Sequence, residues 1–277
     1  MPDHALTGGP EARLAERYRD AAPATAVWNP VIDLLVQHRS VRSYTSDPLP
    51  PGTLATLVAA AQSAATSSNL QTWSVLAVED ADRRARLSAL ANNQRHIREA
   101  PLFLVWLADL SRAARLGQAA GRELDVLPFL ETFLVAVIDA ALAAQNAVTA
   151  AESLGLGTVY IGAMRNHPEA VAAELALPPG VMAVFGLCVG HANPDAPASV
   201  KPRLPQPVVL YREQYGAVAE ADGIAAYDAT LREFQAEQNM AQQGWSELIL
   251  NRLGPVSAMS GRDTLRAAIE RLGFGLR

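Results

Sequence analysis

The chain has 277 residues, half of them apolar and 18% charged, with a net charge of −5. That composition supplies a large core, or a core with extensions, and leaves no broad basic field for nucleic acid or an anionic membrane surface. The single cysteine, Cys188, excludes an internal disulfide and a thiolate metal site from one chain, and its place in the apolar run 181–189 marks it as a buried thiol. The five histidines (His4, His38, His96, His167 and His191) form no HExxH or HxH pattern, so no metal centre is expected.

Asp3, His4, Glu11, Arg13, Glu16 and Arg17 interrupt any apolar run at the start of the sequence, which argues against a signal peptide. Residues 1–28 read as an Ala/Pro-rich arm with a short helical pattern at 11–18. Asn29-Pro30 opens a helix through 31–37, and Thr53 is the expected cap of a helix over 54–64 after the prolines at 48, 50 and 51. A strand is expected at 74–78, a helix from 80–82 through 90, a short helix at 97–100 and a doubly buried strand at 102–107. Residues 112–128 read as loop. The apolar stretch 133–156 contains Asp139, Gln145, Asn146 and Glu152 and is rich in alanine, which suits a buried helix over 129–154 better than a membrane span. Strands follow at 158–161, 181–189 and 208–211, with a helix at 168–175 between the first two. From Ala219 the tail reads as helices over 224–238, 246–253 and 263–272. Short strands between helices, without repeats, predict an α+β fold with a central sheet enclosed by helices and a helical C-terminal extension. The protein is expected to be soluble and cytoplasmic.

Four clusters carry candidate chemistry. His38, Arg39, Ser40 and Arg42 place two guanidiniums, an imidazole and a hydroxyl after a helix, a donor set suited to a phosphate dianion and equally to a solvated helix end. Lys201 and Arg203 sit in a proline-stiffened segment that pre-orders both cations, unless it is an ordinary surface loop. Thr66, Ser67, Ser68 and Asn69 offer hydroxyls and an amide to a polyol chain or a polar ring edge. Tyr160 and Ile161 lead into Gly162 and Ala163, where a glycine at a strand end allows backbone to approach a planar ligand.

The ordered combination HRSVR, TSSNLQ, AAESLGLGTVYIGAMRN and FGLCVGHANPDAPASVKPRLP closely resembles the nitroreductase family, nearest to its group A oxygen-insensitive nitroreductases and NADPH–flavin oxidoreductases. The likeness runs over 29–210 and more loosely to 253. It implies an intertwined homodimer with FMN at the interface, and a division into an arm (1–28), an FMN-binding core (29–215) and a helical extension (216–277). His38, Arg39, Ser40 and Arg42 would then hold the phosphate and part of the ribityl chain, and Lys201 and Arg203 would reach phosphate and flavin. Thr66, Ser67, Ser68 and Asn69 would approach the flavin from the partner subunit, and Gln94 would contact the flavin edge. Gly162 and Ala163 would present N–H groups near flavin N5, with Tyr160 and Ile161 leading into them.

The implied activity is electron transfer from NADPH or NADH through FMN to nitroaromatics, quinones or free flavin, by a ping-pong route that requires no protein acid or base. A flavin-binding sensor or carrier with little turnover is the alternative, and related folds also perform dehalogenation. The sequence departs from the group A pattern at Thr66 and Asn69, where serine and phenylalanine are usual, and at Ala163, where a second glycine is common. Segment 236–244, AEQNMAQQG, has no cation for a 2′-phosphate and carries Glu237, which predicts little preference for NADPH over NADH.

Overall fold

The computed structural model of the protein describes residues 9–24, 27–216 and 220–277. The first eight residues of the arm, with Asp3 and His4, and the expected start of the tail at Ala219 lie outside them. In chain order the helices are α1 Pro10–Tyr18, α2 Pro30–Val36, α3 Thr53–Gln62, α4 Ala81–Leu90, α5 Arg95–Glu99, α6 Ser111–Ala119, α7 Leu130–Ser153, α8 Pro168–Glu174, α9 Gln206–Val209, α10 Glu220–Glu237, α11 Trp245–Leu253 and α12 Leu265–Arg271. The strands are β1 Trp73–Val78, β2 Leu102–Asp109, β3 Gly157–Ile161 and β4 Val181–Gly190.

Local chemistry explains most of these boundaries. The Asn29 side chain accepts the Ile32 N–H at 2.9 Å and Pro30 fills the first turn, so α2 begins there. Asp80 does the same for α4, accepting the Arg83 N–H at 2.7 Å. Three expectations are corrected. Thr53 is the first residue of α3 rather than its cap: Gly52, at φ 86°, takes the cap position, and the Thr53 hydroxyl donates to Pro50 O at 2.7 Å. Residues within 112–128 form part of α6, whose start is fixed by Asp109 Oδ1 accepting the Ser111 N–H at 3.0 Å and its hydroxyl at 2.6 Å. Residues 208–211 contain no strand. Leu210 N–H donates to Gln206 O at 2.8 Å, and Pro207 has the fixed φ of a helix's first turn and no N–H for a sheet ladder.

Two compact units emerge, Met1–Arg39 with Ser199–Met259, and Ser40–Ala198 with Ser260–Arg277. The second holds a four-stranded, wholly antiparallel sheet in the order β1-β2-β4-β3. Strand alternation divides its core in two. Phe103, Val105 and Leu107 point to one face with Ile97, Ile161, Met164 and the buried thiol of Cys188. Leu102, Leu104 and Trp106 point to the other, against Leu57 of α3 and the alanine side of α7. Each fully buried large side chain here contributes roughly 1.5–3 kcal/mol. Helix α7 is long and apolar enough to cross a membrane, yet its Ala136, Ala140, Ala143, Ala144, Ala147 and Ala151 are buried against this core. The C-terminus returns to the start of α7, where Leu130 N–H donates to Arg277 O at 3.1 Å.

Candidate functional site

In the first unit, two cation-bearing segments meet at one buried arginine. Arg17, on α1, is only 5% exposed. Its Nε and Nη2 donate to Val36 O at 2.9 and 2.7 Å, Nη2 also donates to His38 O, and Nη1 donates to Lys201 O at 2.6 Å. The guanidinium therefore satisfies carbonyls left open at the end of α2 and ties them to the 201–203 segment. That segment is held twice more, by Arg203 N–H on Arg17 O at 3.1 Å and by the Tyr227 hydroxyl on Pro202 O at 2.8 Å. Burial raises the Tyr227 phenol above its ordinary value, opposed by Arg203 and Arg17. Arg39, Lys201 and Arg203 are exposed, with His38 half-buried. The structure thus brings His38 and Arg39 to the same anchor as Lys201 and Arg203.

In the second unit, Ser40 and Arg42 lie on an extended segment that runs beside the edge strand β3. Ser40 bridges to Thr158, and Val41 N–H donates to Thr158 O at 2.8 Å. Gly157 makes this approach possible, because a Cβ there would lie 2.6 Å from Val41 Cγ2. The segment is pinned further along by the Tyr44 hydroxyl, which donates to Val41 O at 2.7 Å. Burial lowers the pKa of the His96 imidazole, and the charge of Arg42 lowers it further. Gln94, the cap residue of α5, has Oε1 2.9 Å from His96 Nε2. Gln94 and His96 accordingly form one polar pair within reach of the Arg42 charge, and His96 was not among the candidate residues.

The hydroxyl-rich segment 66–71 is organised by a residue absent from the candidate set. Asp139, 2% exposed in the middle of α7, accepts from the Thr66 hydroxyl at 2.7 Å, Ser67 N–H at 3.3 Å, Thr72 N–H at 3.0 Å and the Thr72 hydroxyl at 3.0 Å. The Thr66 oxygen also accepts the Gln71 N–H at 2.9 Å, closing the turn. Ser68, Asn69 and Gln71 all take left-handed backbone at φ 48°, 55° and 51°, and Ser67, Ser68 and Asn69 are exposed. The Thr66 hydroxyl proton is committed to Asp139, while the side chains of Ser67, Ser68 and Asn69 lie on the outside of the latched turn.

At the end of β3, Ile161 and Ala163 are buried, Gly162 is half-buried, and Tyr160 is 37% exposed with its ring edge-on to Phe185. Burial, with Glu152 nearby, raises the Tyr160 phenol above its ordinary value. Its hydroxyl lies 3.5 Å from Gln145 on α7, the helix that also anchors the 66–71 turn. Gly162 and Ala163 open a 3-10 turn, so their N–H groups have no partner within it. Two further cations missed by sequence reasoning stand here. Arg165 Nη2 lies 3.4 Å from where a Gly162 Cβ would be, and its pKa is lowered by burial and then by Arg262. Arg262 Nε donates to Asn166 Oδ1 at 2.8 Å. Arg165 Nη1 donates to Val184 O, which holds its guanidinium beside the turn.

The segment without cations also looks different in three dimensions. Glu237, the acid expected to repel a 2′-phosphate, is paired with Arg19 at 2.7 Å. Its charge is therefore offset by a cation from the arm, a contact that no local reading of 236–244 contains.

The chain was compared with known proteins. Residues 35–191 match the model of the nitroreductase family, and residues 201–277 match that of the family's C-terminal domain. An FMN reductase (NADPH) of Bacillus subtilis is 39% identical over 228 residues, covering 80% of this chain and 91% of that protein. An oxygen-insensitive NADPH nitroreductase of Salmonella typhimurium is 39% identical, covering 80% and 90%. Among solved structures, a hypothetical oxidoreductase from Bacillus subtilis superposes with a TM-score of 0.85 at 35% identity, covering 90% of this chain and all of that one. The NADPH:FMN oxidoreductase from Vibrio harveyi, solved with NAD+, gives 0.79 at 33% identity, covering 90% and 100%. The antiparallel sheet enclosed by helices is the fold these structures share with this chain. This chain belongs to the nitroreductase family.

Proposed function

We propose that the protein is an FMN-dependent oxidoreductase that takes electrons from NADPH or NADH and passes them to nitroaromatics, quinones or free flavin. The observation that carries the reading is the pair of cation-bearing segments in the first unit, 36–39 and 201–203, fixed to one guanidinium. Their donor chemistry fits a phosphate dianion: Arg39, Lys201 and Arg203 are exposed cations, and His38 adds a ring N–H. Relatives named FMN reductase and NADPH-flavin oxidoreductase support the same cofactor and donor. FMN, when bound, would supply the redox chemistry between dinucleotide and acceptor.

The residues divide the remaining tasks. His38, Arg39, Lys201 and Arg203 of the first unit are assigned to the phosphate, and Ser40 and Arg42, in the second unit, carry a hydroxyl and a guanidinium of the same donor type. Ser67, Ser68 and Asn69 address the polyol chain and ring edge, with Thr66 shaping their turn through Asp139. Gln94 contacts the ring edge. Gly162 and Ala163 direct N–H groups at the ring, and Tyr160 and Ile161 set the strand end from which they project. In this division residues 29–215 form the cofactor-binding core, 1–28 an arm and 216–277 a helical extension.

The protein works as a homodimer in the cytoplasm on this reading. Helix α7 leaves Leu134, Ile138 and Leu142 exposed at four-residue spacing, an apolar stripe that a second copy would cover. A sensor or carrier with little turnover is not favoured, because the relatives are named for reductase activity. Steady-state oxidation of NADPH or NADH in the presence of a nitrofuran or quinone tests the proposal. Turnover that requires FMN supports it; bound FMN with negligible turnover on every donor–acceptor pair contradicts it.

A further inference from the structure

We propose that Arg17 is a positioning residue for the phosphate-binding cations. From helix α1 it fixes the backbone of 36–38 against that of 201–203, and so sets the separation between His38–Arg39 and Lys201–Arg203. The inference rests on the FMN reading above, and it concerns a part of the chain that precedes residue 35, where the match to the family model begins.

The geometry of the guanidinium carries the argument. All three nitrogens donate to backbone carbonyls of the two segments: Val36 from Nε and Nη2, His38 from Nη2, and Lys201 from Nη1. The main chain of Arg17 adds a fourth tie, accepting the Arg203 N–H at 3.1 Å. Main-chain atoms on both sides of the anchor are therefore placed by one rigid, planar fork, whose geometry a lysine cannot reproduce. The carbonyls it satisfies at the end of α2 are those a helix leaves open, and they bear the negative end of the helix dipole. Neutralising that end favours an anion bound beside it. At 5% exposure the Arg17 side chain is too enclosed to serve as a solvated surface charge.

A role confined to gluing the arm would lower stability without regard to which flavin binds. A positioning role for phosphate cations is selective, because riboflavin lacks the phosphate. The test measures the affinities of wild type, Arg17→Met and Arg17→Lys for FMN and for riboflavin. Wild type should bind FMN more tightly than riboflavin. Arg17→Met should weaken FMN by at least about tenfold while moving riboflavin by less than about threefold. Arg17→Lys, which keeps the charge and loses the fork, should show the same selective loss to a smaller extent, and it decides the matter if the Met variant does not fold. Equal weakening of both flavins, or no weakening of either, overturns the positioning role and leaves the FMN reading intact. Wild type that binds riboflavin as tightly as FMN overturns the phosphate-clamp reading and this inference with it.

Discussion

At the residue scale, Asp139 shows how much a single side chain can hide in a sequence. Within an alanine-rich run its carboxyl signals a helix face buried in protein, and that face is buried, with Asp139 at 2% exposure. Nothing in that run announces that four donors from 66–72 converge on it. The partners lie 67 and more positions away, and only folding brings them into reach. The same holds for Arg17, 184 positions from Lys201, and for Arg19 opposite Glu237. The residue types of the candidate site were legible because phosphate and polyol recognition require particular donors. The residues that aim them were not, because a supporting contact has no sequence spacing of its own. Asp139→Ala should leave four donors facing no acceptor and cost roughly 2–5 kcal/mol in urea unfolding. Thr66→Ser should restore what Thr66→Val loses in FMN affinity, since serine keeps the hydroxyl that bonds Asp139 and Gln71. A loss below about 1 kcal/mol in Asp139→Ala would show that the turn holds itself.

At the element scale, continuous apolar runs were legible, and the segments 112–128 and 208–211 were not. Residues 181–189 and 102–107 read as buried strands and are the two central strands, covered on both faces. The apolar run 208–211 has the composition of a strand, but Pro205 and Pro207 set its backbone for a helical turn, and Val208 packs against α10 at Gly223, where a Cβ would come within 2.4 Å. Helix α6 was read as loop because its apolar content is slight and Leu116 faces outward at 66% exposure. Its start depends on Asp109: burial raises the carboxyl's pKa, but hydrogen bonds from Ser111 and Ser74 and the charge of Arg112 together outweigh it and hold the carboxyl below its ordinary value. The placement of Ser40 and Arg42 depends on the close approach of their segment to β3 at Gly157. Gly157→Ala forces Val41 aside and should cost about 1–3 kcal/mol, with weaker FMN binding. Pairing it with Val41→Ala should recover much of the binding, because the smaller side chain removes the collision. Failure of the double variant to improve on Gly157→Ala would show that this packing does not govern the segment.

At the scale of the whole molecule, one chain leaves an apolar stripe of α7 uncovered among the described residues. The sequence indicated a buried helix, and the structure buries its alanine side while Leu134, Ile138 and Leu142 stay exposed. Burying such a stripe between two copies contributes roughly 25 cal/mol per Å² of apolar surface, whereas a charge placed in it must be desolvated. Ile138→Glu should therefore shift the protein from dimer to monomer in sedimentation equilibrium, and a variant that remains dimeric would place the interface elsewhere. The dinucleotide question also belongs at this scale, since Arg19 of the arm offsets Glu237 and the segment at 236–244 no longer stands alone against a 2′-phosphate. The central claim is that FMN held by this chain is reduced by a nicotinamide dinucleotide. Anaerobic stopped-flow mixing of the FMN-loaded protein with NADPH, and separately with NADH, tests it most directly. Rapid loss of the visible flavin absorbance is expected with at least one donor, with a rate ratio between them below about a hundredfold, equivalent to ~2.7 kcal/mol. Flavin that stays oxidised with both donors would contradict it.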